Sequence, residues 1–484
     1  MIDRLEIMAV AGDLSLRPDV VEKDYVLGWI LAGIYADPRL SKVWAFKGGT
    51  CLKKCYFETY RFSEDLDFTV LEPAHLEEAF LLAAFADVSR WVQDASGIEI
   101  PVEQLRFEPF RNKRGGSNCE GRLYYRGPMQ RGGSLQRVKI DLTADERVVL
   151  PFADRPVGHP YTDRPEQGMT ARCYAFEEVF AEKTRALGER SRPRDLYDVI
   201  NLFRTEEYRP PSSAVLDVLR QKCAFKGIDL PSLSALALAE DELRADWDAM
   251  LGHQLPALPP FDAYWKALPE FFSWILAGRA PAPLTAAPIG AGEAVFRPAI
   301  GELRAARTAG STYLETIRFA ASNRLCVELT YDGSVRLIEP YSLRRTSEGN
   351  ILLFACHAAD GQSRSYRLDK IGGARMTSQP FVSRFAVELS ATEVTIPGVA
   401  RRATSFPASP GRATPRTRPA RRQASGTPGV VHIFRCSVCG KKFRRREMDA
   451  SLNPHKDDAG YPCPGRIGVG HVPSSGVRRV IRFD

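Results

Sequence analysis

A glycine turn followed closely by two aspartates one residue apart constrains this chain more than any other feature. The turn is Phe46-Lys47-Gly48-Gly49-Thr50, and the acidic segment is Arg61-Phe62-Ser63-Glu64-Asp65-Leu66-Asp67-Phe68. Side chains alternate along an extended chain, so Asp65 and Asp67 are predicted to share one face of a strand while the apolar residues beside them face the core. Two neighbouring carboxylates repel each other, and a bound divalent cation is the usual reason for keeping them together.

Carboxylate oxygens favour a hard cation such as Mg2+ (or Mn2+), which takes its remaining ligands from water and substrate phosphates. The glycine pair allows backbone N–H groups to approach a triphosphate, and Thr50 adds a hydroxyl at the start of a helix predicted over residues 51–56. Gly-Gly-Thr alone is more often a structural turn. Together with the acidic strand, it predicts phosphoryl or nucleotidyl transfer.

A third carboxylate follows further along the chain. The segment Arg137-Val138-Lys139-Ile140-Asp141-Leu142-Thr143 alternates in the same way, with Lys139 and Asp141 on its polar face. Asp141 would complete a clamp for two metal ions, which polarise an attacking hydroxyl and stabilise a leaving pyrophosphate. A half-exposed strand with a polar outer face explains this segment equally well.

Two predicted helices carry further charged candidates. Lys183 lies in the apolar stripe of a helix over residues 175–187, where a nucleotide phosphate would be a natural partner. The alternative is a lysine whose stem packs and whose head reaches water. Asp195 follows Pro193 at the start of the next helix, where an acid can simply complement the helix dipole, so its role stays undecided. Arg194 could pair with it or with a phosphate.

The order of these motifs resembles that of the AbiEii/AbiGii-type nucleotidyltransferase toxins, which have a polymerase-beta-like fold. The resemblance covers roughly residues 20–205. It is carried by Gly49-Thr50 with Asp65-x-Asp67, Lys139-x-Asp141, Ala181-x-Lys183-x-x-Ala186-Leu187 and Arg194-Asp195-x-x-Asp198. The interval between Thr50 and Asp65 is longer than in the general polymerase-beta signature, although it suits this family, and it leaves the acceptor open.

The resemblance implies an activity and a set of site residues. Asp65, Asp67 and Asp141 would hold Mg2+ (or Mn2+). Lys183 would contact the nucleotide, and Asp195 would be an essential acid. The expected nucleotide contacts are Gly48, Gly49, Thr50, Ser63, Lys139 and Lys183. The implied role is a toxin of a type IV toxin–antitoxin or phage-defence system that transfers a nucleotide from an NTP to RNA, with the tRNA 3′ end as expected acceptor and a cognate antitoxin as partner.

Composition favours a multidomain cytoplasmic protein. Its 484 residues, 44% hydrophobic and 26% charged, can build two or more cores. The sequence has no signal-peptide pattern and no apolar run of membrane length, so no membrane partner is expected. The final 87 residues carry a net charge of +13, although the whole chain carries +8. General affinity for nucleic acid is therefore predicted in the tail.

The tail also predicts a metal centre. Cys436-Ser-Val-Cys439 precedes His455 and Cys463 at spacings typical of a tetrahedral structural Zn2+ site, with His471 as a substitute ligand. Free thiols are a weaker interpretation, and a redox pair is weaker still because the surrounding βαβ pattern is absent. The basic residues at 441–446 could bind RNA or DNA, or could form a solvated face.

The predicted fold class is α+β, with a polymerase-beta-like part, a helical part and a small β-rich part. The expected domains are a nucleotidyltransferase core over 1–160, a helical domain completing the cleft over 161–280, a linker over 281–310, a β-rich domain over 311–390, a disordered Arg/Pro-rich linker over 391–430 and a zinc module over 431–484. The β-rich part resembles a WYL domain, a small ligand sensor, although Ile351-Leu352-Leu353 replaces the tripeptide of that family. Its predicted polar pocket consists of Arg336, Glu339, Tyr341, Arg364 and Arg367. Cross-strand ion pairs on an exposed face explain these residues almost as well.

Two other functions stay open from the sequence. A ligand-sensing regulator that binds nucleic acid would use the β-rich domain and the zinc module around an inactive nucleotidyltransferase fold. Protein or small-molecule nucleotidylation would use the same acidic site with a different acceptor. The complete acidic motifs favour an active enzyme, and the basic tail favours a polyanionic acceptor.

Overall fold

The computed structural model describes most of the chain. The described residues are 1–57, 60–129, 135–206, 208–297 and 313–389, together with the backbone of strands at 430–436, 442–445, 455–456, 462–463 and 468–475. Residues 1–403 form one compact unit and residues 404–484 a second. None of the described helices is long and apolar enough to cross a membrane.

A seven-stranded mixed sheet organises the first unit. Its strands are β1 (Trp44–Lys47), β2 (Asp65–Val70), β3 (Arg106–Arg111), β4 (Ser117–Tyr125), β5 (Gln136–Thr143), β6 (Ala153–Pro156) and β7 (Thr170–Cys173). Their order in space is β3-β4-β5-β2-β1-β7-β6. β2 is parallel to β5 and antiparallel to β1. Because β6 is followed by β7 in this sheet, the core predicted over 1–160 extends to at least Cys173.

Helices and the sheet share one continuous hydrophobic core. The longer helices are α1 (Arg4–Leu14), α2 (Pro18–Ala36), α4 (Glu78–Ser96), α5 (Phe176–Arg190), α6 (Pro193–Arg204), α7 (Ser212–Lys226), α9 (Glu240–Leu251) and α11 (Leu268–Ala277), and the shorter ones are α3 (Gly48–Cys51), α8 (Leu233–Ala237) and α10 (Phe261–Trp265). Leu66 and Phe68 are fully buried in this core. Alternation along β2 therefore leaves its aspartates on the other face, as predicted.

The helix after the glycine pair differs from the prediction over 51–56. It begins earlier, as α3, and continues as a π-helical turn over Leu52–Tyr56. The chain enters this helix directly from β1 because Gly48 has a φ of +82°. A glycine in this conformation can join a strand to a helix without an intervening loop.

A second sheet follows the helices in the same unit. It contains β8 (Glu293–Val295), β9 (Leu325–Tyr331), β10 (Ser334–Thr346), β11 (Ile351–His357), β12 (Ser363–Arg367) and β13 (Ile371–Pro380), preceded within the β-rich part by α12 (Leu314–Ser322). The main order is β12-β11-β10-β9-β13, and β8 also pairs with β10. β8 lies within the linker predicted over 281–310 and adds to a sheet whose other strands come later in the chain.

Buried hydrogen bonds join the β-rich part to the helices. Asn323 accepts bonds through Oδ1 from the hydroxyls of Tyr197, at 2.6 Å, and Tyr264, at 3.0 Å. The hydroxyl of Thr316 donates to the carbonyl of Asp13 at 2.9 Å. The β-rich part is thus anchored to α6 and α1 within one unit.

The second unit contains two small sheets. Its strands are β14 (Val430–Cys436), β15 (Lys442–Arg445), β16 (His455–Lys456), β17 (Pro462–Cys463) and β18 (Gly468–Ser475). One sheet has the order β15-β14-β18 and the other pairs β16 with β17. The predicted linker over 391–430 lies outside the described residues, except for Val430 at the start of β14.

Candidate active site

Four charged residues from neighbouring strands form one row across the first sheet. Lys47 of β1 is the register partner of Asp67 of β2, which is also the partner of Asp141 of β5. Asp141 in turn pairs with Glu120 of β4. Asp65 lies two residues before Asp67 and therefore shares its face. The fold thus brings together the three carboxylates that the sequence singled out, and we call Asp65, Asp67, Asp141 and Glu120 together the acidic row.

The surroundings of Asp65 and Asp67 disfavour the ionised forms of these two carboxyl groups. Burial and the neighbouring charge of Asp141 raise the pKa of Asp67 to about 6, although Lys47 acts in the opposite direction. Burial and Asp141 also raise the pKa of Asp65. A cation bound between such groups would favour their ionised form. The donors are all carboxylate oxygens, so the site fits a hard divalent ion.

Two glycines let the turn before the acidic strand approach it closely. A Cβ on Gly48 would lie 2.2 Å from Oδ2 of Asp67. A Cβ on Gly49 would lie 2.5 Å from Nη2 of Arg61 and 3.3 Å from Oγ of Ser63. Any larger residue would therefore push the turn away from the acidic row. Ser63, a predicted nucleotide contact, lies beside this turn.

Thr50 contributes to the position of the acidic strand. Its side chain is buried, and its hydroxyl donates a 2.5 Å hydrogen bond to the carbonyl of Asp65. This bond fastens α3 to the first residue of β2. Contact between this hydroxyl and a nucleotide stays a prediction.

Lys139 faces the acidic row, as strand alternation predicted. Its Nζ lies 3.0 Å from Oδ1 of Asp141 and 3.0 Å from Oε2 of Glu120. Its side chain is partly exposed, so its ammonium can contact both the row and solvent. The predicted contact with a nucleotide is compatible with this position.

Lys47 is a candidate that the sequence interpretation left without a role. It is buried, and its Nζ lies 3.1 Å from Oε1 of Glu182 on α5 and 3.9 Å from Oε1 of Glu146. Burial lowers the pKa of this ammonium, but Glu182 and the other acids around it raise the pKa above the usual range, so Lys47 is charged. The feature of the sequence that could have pointed to Lys47 as a site residue is its place directly before the glycine pair.

Lys183 is buried on α5, as predicted, and its partners are two aspartates of α6. Its Nζ lies 2.8 Å from Oδ2 of Asp198 and 3.6 Å from Oδ1 of Asp195. Asp195 is fully buried and accepts bonds from Nε and Nη2 of Arg190 at 2.8 and 3.0 Å. Asp195 therefore pairs with two positively charged side chains, those of Lys183 and Arg190, rather than only complementing the helix dipole.

Arg194 has a different partner from the two that the sequence suggested. Its Nε donates to the carbonyl of Met250 at 3.3 Å. The carboxylate of Asp195 is bonded to Arg190 instead. The pairing of Asp195 with Arg190 depends on how α5 packs against α6, and this packing cannot be inferred from the sequence around Asp195.

Asp198 connects the acidic segment to α6. It is fully buried and accepts bonds from Nε and Nη2 of Arg61 at 2.8 and 2.7 Å and from the hydroxyl of Tyr60 at 3.0 Å. Burial raises the pKa of Asp198, but Arg61 and Lys183 lower it well below the usual range. This ion network holds the segment before β2 in place, and the sequence interpretation gave Arg61 no role.

The polar pocket predicted in the second sheet is not assembled as a single group. Glu339 is buried, accepts a 2.9 Å bond from the hydroxyl of Tyr341 and lies 3.3 Å from Nε of Arg384. Arg367 pairs on the surface with Asp369 at 2.8 Å. The surface pair of Arg367 with Asp369 is an exposed ion pair, whereas Glu339 and Tyr341 are buried and do not belong to an exposed face.

The predicted zinc ligands lie in the second unit. Cys436 ends β14, and His455 and Cys463 are register partners on β16 and β17. The backbone thus brings two of these ligands next to each other. Cys439 lies outside the described residues.

Comparisons with known proteins found similar solved structures and one matching family model. No curated protein matches the chain. Among solved structures, the nucleotidyltransferase toxin MenT4 from Mycobacterium tuberculosis H37Rv is 17% identical with a TM-score of 0.36, covering 56% of this chain and 89% of that one. JHP933 from Helicobacter pylori is 18% identical with a TM-score of 0.34, covering 54% of this chain and 94% of that one.

The family model described as nucleotidyl transferase AbiEii toxin, type IV TA system, matches residues 29–267. This segment contains every residue of the acidic row and of the α5–α6 network. Residues 29–267, just under half of the chain, are therefore similar to the AbiEii nucleotidyltransferase toxins of type IV toxin–antitoxin systems, and the chain is a nucleotidyltransferase.

Proposed function

We propose that this nucleotidyltransferase moves a nucleotidyl group from an NTP to a hydroxyl of RNA, with tRNA as the first acceptor to test. One observation carries the proposal: Asp67 and Asp141 are register partners on parallel strands, and the glycine turn approaches Asp67 so closely that a Cβ on Gly48 would clash with it. This arrangement puts backbone N–H groups and carboxylates beside each other, as a triphosphate with its metal requires.

Asp65, Asp67 and Asp141 would hold Mg2+ (or Mn2+), since their oxygen donors fit a hard cation. When bound, such an ion polarises the phosphoryl group and favours ionisation of an acceptor hydroxyl. The raised pKa values of Asp65 and Asp67 support this assignment, because metal-free carboxylates are poorly stabilised there.

The protein's own groups bind and orient the nucleotide. Gly48 and Gly49 present the backbone of α3 to its phosphates. Lys183 has three ammonium donors and two aspartate partners, so it can donate a further bond to a phosphate. Asp195 and Asp198 hold Lys183 in position, and Asp141 accepts the proton of the attacking hydroxyl.

Charge supports RNA as the acceptor. The final 87 residues carry +13, so this part of the chain attracts polyanions. Similarity of residues 29–267 to a type IV toxin family supports an antitoxin protein as partner. A protein or a small molecule as acceptor would gain nothing from the basic tail.

The test incubates the full chain with each α-labelled NTP, Mg2+ and total bacterial RNA. Asp67→Asn is compared with Asp154→Asn, since Asp154 lies on β6 of the same sheet and is exposed. We expect label in tRNA-sized RNA with the unchanged protein and with Asp154→Asn, and none with Asp67→Asn. Label transfer by Asp67→Asn would refute the metal site, and label in protein instead of RNA would refute the acceptor.

We also propose that Cys436, Cys439, His455 and Cys463 bind a structural Zn2+. The pairing of His455 with Cys463 in the backbone register supports this set. The zinc content of the full chain should fall by one ion per chain on Cys436→Ser. An unchanged zinc content in that variant would refute the assignment.

A further inference from the structure

Three cysteines that the proposed function does not use come together behind the glycine turn. Cys51 ends α3, Cys55 lies in the π-helical turn that follows, and Cys173 ends β7. Their sulfur atoms all lie within 4.8 Å of one another, and all three side chains are buried. Among the described residues, this thiol cluster is the only group of three potential metal ligands as close as this.

The backbone brings the thiols together in two ways. Cys51 and Cys55 are four residues apart across the start of the π-helical turn, a rare structure that occurs mostly at functional sites. Cys173 arrives from β7, whose parallel pairing with β1 places it opposite Phe46. The amide of Tyr174 donates to the carbonyl of Phe46 at 3.1 Å and fixes this register. Each side of the cluster is therefore held by a rigid element.

Positive charge lies beside the cluster. Nε of Arg155, a buried residue of β6, donates to the carbonyl of Cys55 at 3.3 Å. A neighbouring positive charge stabilises a thiolate, which is the form of cysteine that binds metals.

We propose that Cys51, Cys55 and Cys173 bind a soft, thiolate-preferring cation, Zn2+ or Cu+. Thiolate donors select these ions over Mg2+. A metal–sulfur distance of about 2.3 Å places the ligand sulfurs about 4 Å apart, and the three sulfurs of this cluster all lie within 4.8 Å of one another. Each thiol that becomes a ligand releases its proton to solvent.

Charge balance supports the assignment. Three thiolates around a divalent cation keep one net negative charge, and around a monovalent cation they keep two. The guanidinium of Arg155 offsets one of these charges inside the protein, where an unpaired charge is unfavourable.

A metal bound to the thiol cluster would stabilise the segment that carries Thr50 without contacting the acidic row. Cys51 directly follows Thr50, whose hydroxyl is bonded to the carbonyl of Asp65. A cation joining Cys51 to Cys173 would fasten this segment to β7, on the other side of β1. The inference does not depend on the proposed transfer reaction, because it needs only the three thiols and Arg155.

The experiment uses the full chain with Cys436→Ser, Cys439→Ser and Cys463→Ser, which removes the C-terminal thiols. Elemental analysis after purification under reducing conditions distinguishes zinc from copper. The metal is then removed with a chelator, and Cd2+ is titrated while the sulfur-to-metal charge-transfer absorbance is followed. We expect one Cd2+ per chain and a rise in melting temperature.

Matched variants locate the site. Cys55→Ala should abolish the charge-transfer band, while Cys223→Ala, which removes a buried thiol on α7, should leave one Cd2+ per chain. If Cys55→Ala does not fold, Cys173→Ser is titrated in its place. No band in the background protein, or a band that survives both variants, would overturn the proposal. A mass two hydrogens lower after purification in air would also overturn it, in favour of a disulfide.

Discussion

Gly48→Ala tests the close approach of the glycine turn to the acidic row. Gly48 has a φ of +82°, a conformation that costs a residue with a Cβ about 1–2 kcal/mol. The added Cβ would also lie 2.2 Å from Oδ2 of Asp67, where non-bonded atoms need at least about 3 Å. The turn or the carboxylate must therefore move by roughly 1 Å. A displacement of that size at a reacting centre lowers the rate by on the order of 100-fold.

Gly227→Ala provides the matched control. Gly227 ends α7 with a φ of +67°, and a Cβ there would meet no atom within 4 Å. Both variants should lose about 1–2 kcal/mol of unfolding free energy in urea denaturation, because both place alanine in the left-handed region. Only Gly48→Ala should also lose nucleotidyl transfer to RNA, measured as incorporated label per unit time.

The comparison can refute the reasoning in two ways. A transfer rate of Gly48→Ala equal to that of the unchanged protein would show that the position of Asp67 relative to the turn does not matter for transfer. A rate loss in Gly227→Ala as large as that in Gly48→Ala would assign the effect to general destabilisation.

Three further predictions concern the charges around the site. Asp67→Asn should raise the unfolding free energy of the metal-free protein at pH 7 by up to roughly 2–3 kcal/mol, because the folded-state pKa of about 6 lies above the usual value of 3.8. This gain should shrink as the pH falls through 6 and vanish below about 4, and urea denaturation showing a constant difference would contradict it. Lys47→Met removes the ammonium that lowers the pKa of Asp67, so the acidic limb of the pH–rate profile should move to higher pH. An acidic limb at the same pH in the variant would exclude this coupling between Lys47 and Asp67. Asp198→Asn leaves the buried charges of Arg61 and Lys183 without their carboxylate and should lower the unfolding free energy by about 3–5 kcal/mol, whereas a loss below about 1 kcal/mol would mean that the network is not needed for stability.

Much of the acidic row could be predicted from local patterns. Alternation put Asp65 and Asp67 on one face of a strand and Lys139 and Asp141 on one face of another, and the structure has both strands. The register between β2 and β5 could not be predicted. A shift of one strand by one residue would separate Asp67 from Asp141, and neither segment alone excludes such a shift. The buried pairing of Lys183 with Asp198 could not be predicted from the sequence either, because it depends on how α5 packs against α6.

Errors in the fold prediction have a similar cause. The helix after the glycine pair begins earlier than predicted because the left-handed conformation of Gly48 replaces a loop. Strand β8 was assigned to a linker because its three residues form a strand only by pairing with the edge of β10. Short segments of this kind have no periodicity of their own from which a strand could be inferred.

By itself, the sequence determined the α+β class, the chemistry of the acidic strand and the positions of the glycine turn and of Lys183. These properties follow from backbone alternation, helical period and side-chain chemistry, which act over a few neighbouring residues. Only the tertiary structure decided that Lys47 stands beside Asp67, that Asp195 binds Arg190 and that Cys173 joins Cys51 and Cys55. Such contacts form between segments distant in the chain, and they are fixed by the packing of the whole core rather than by any local preference.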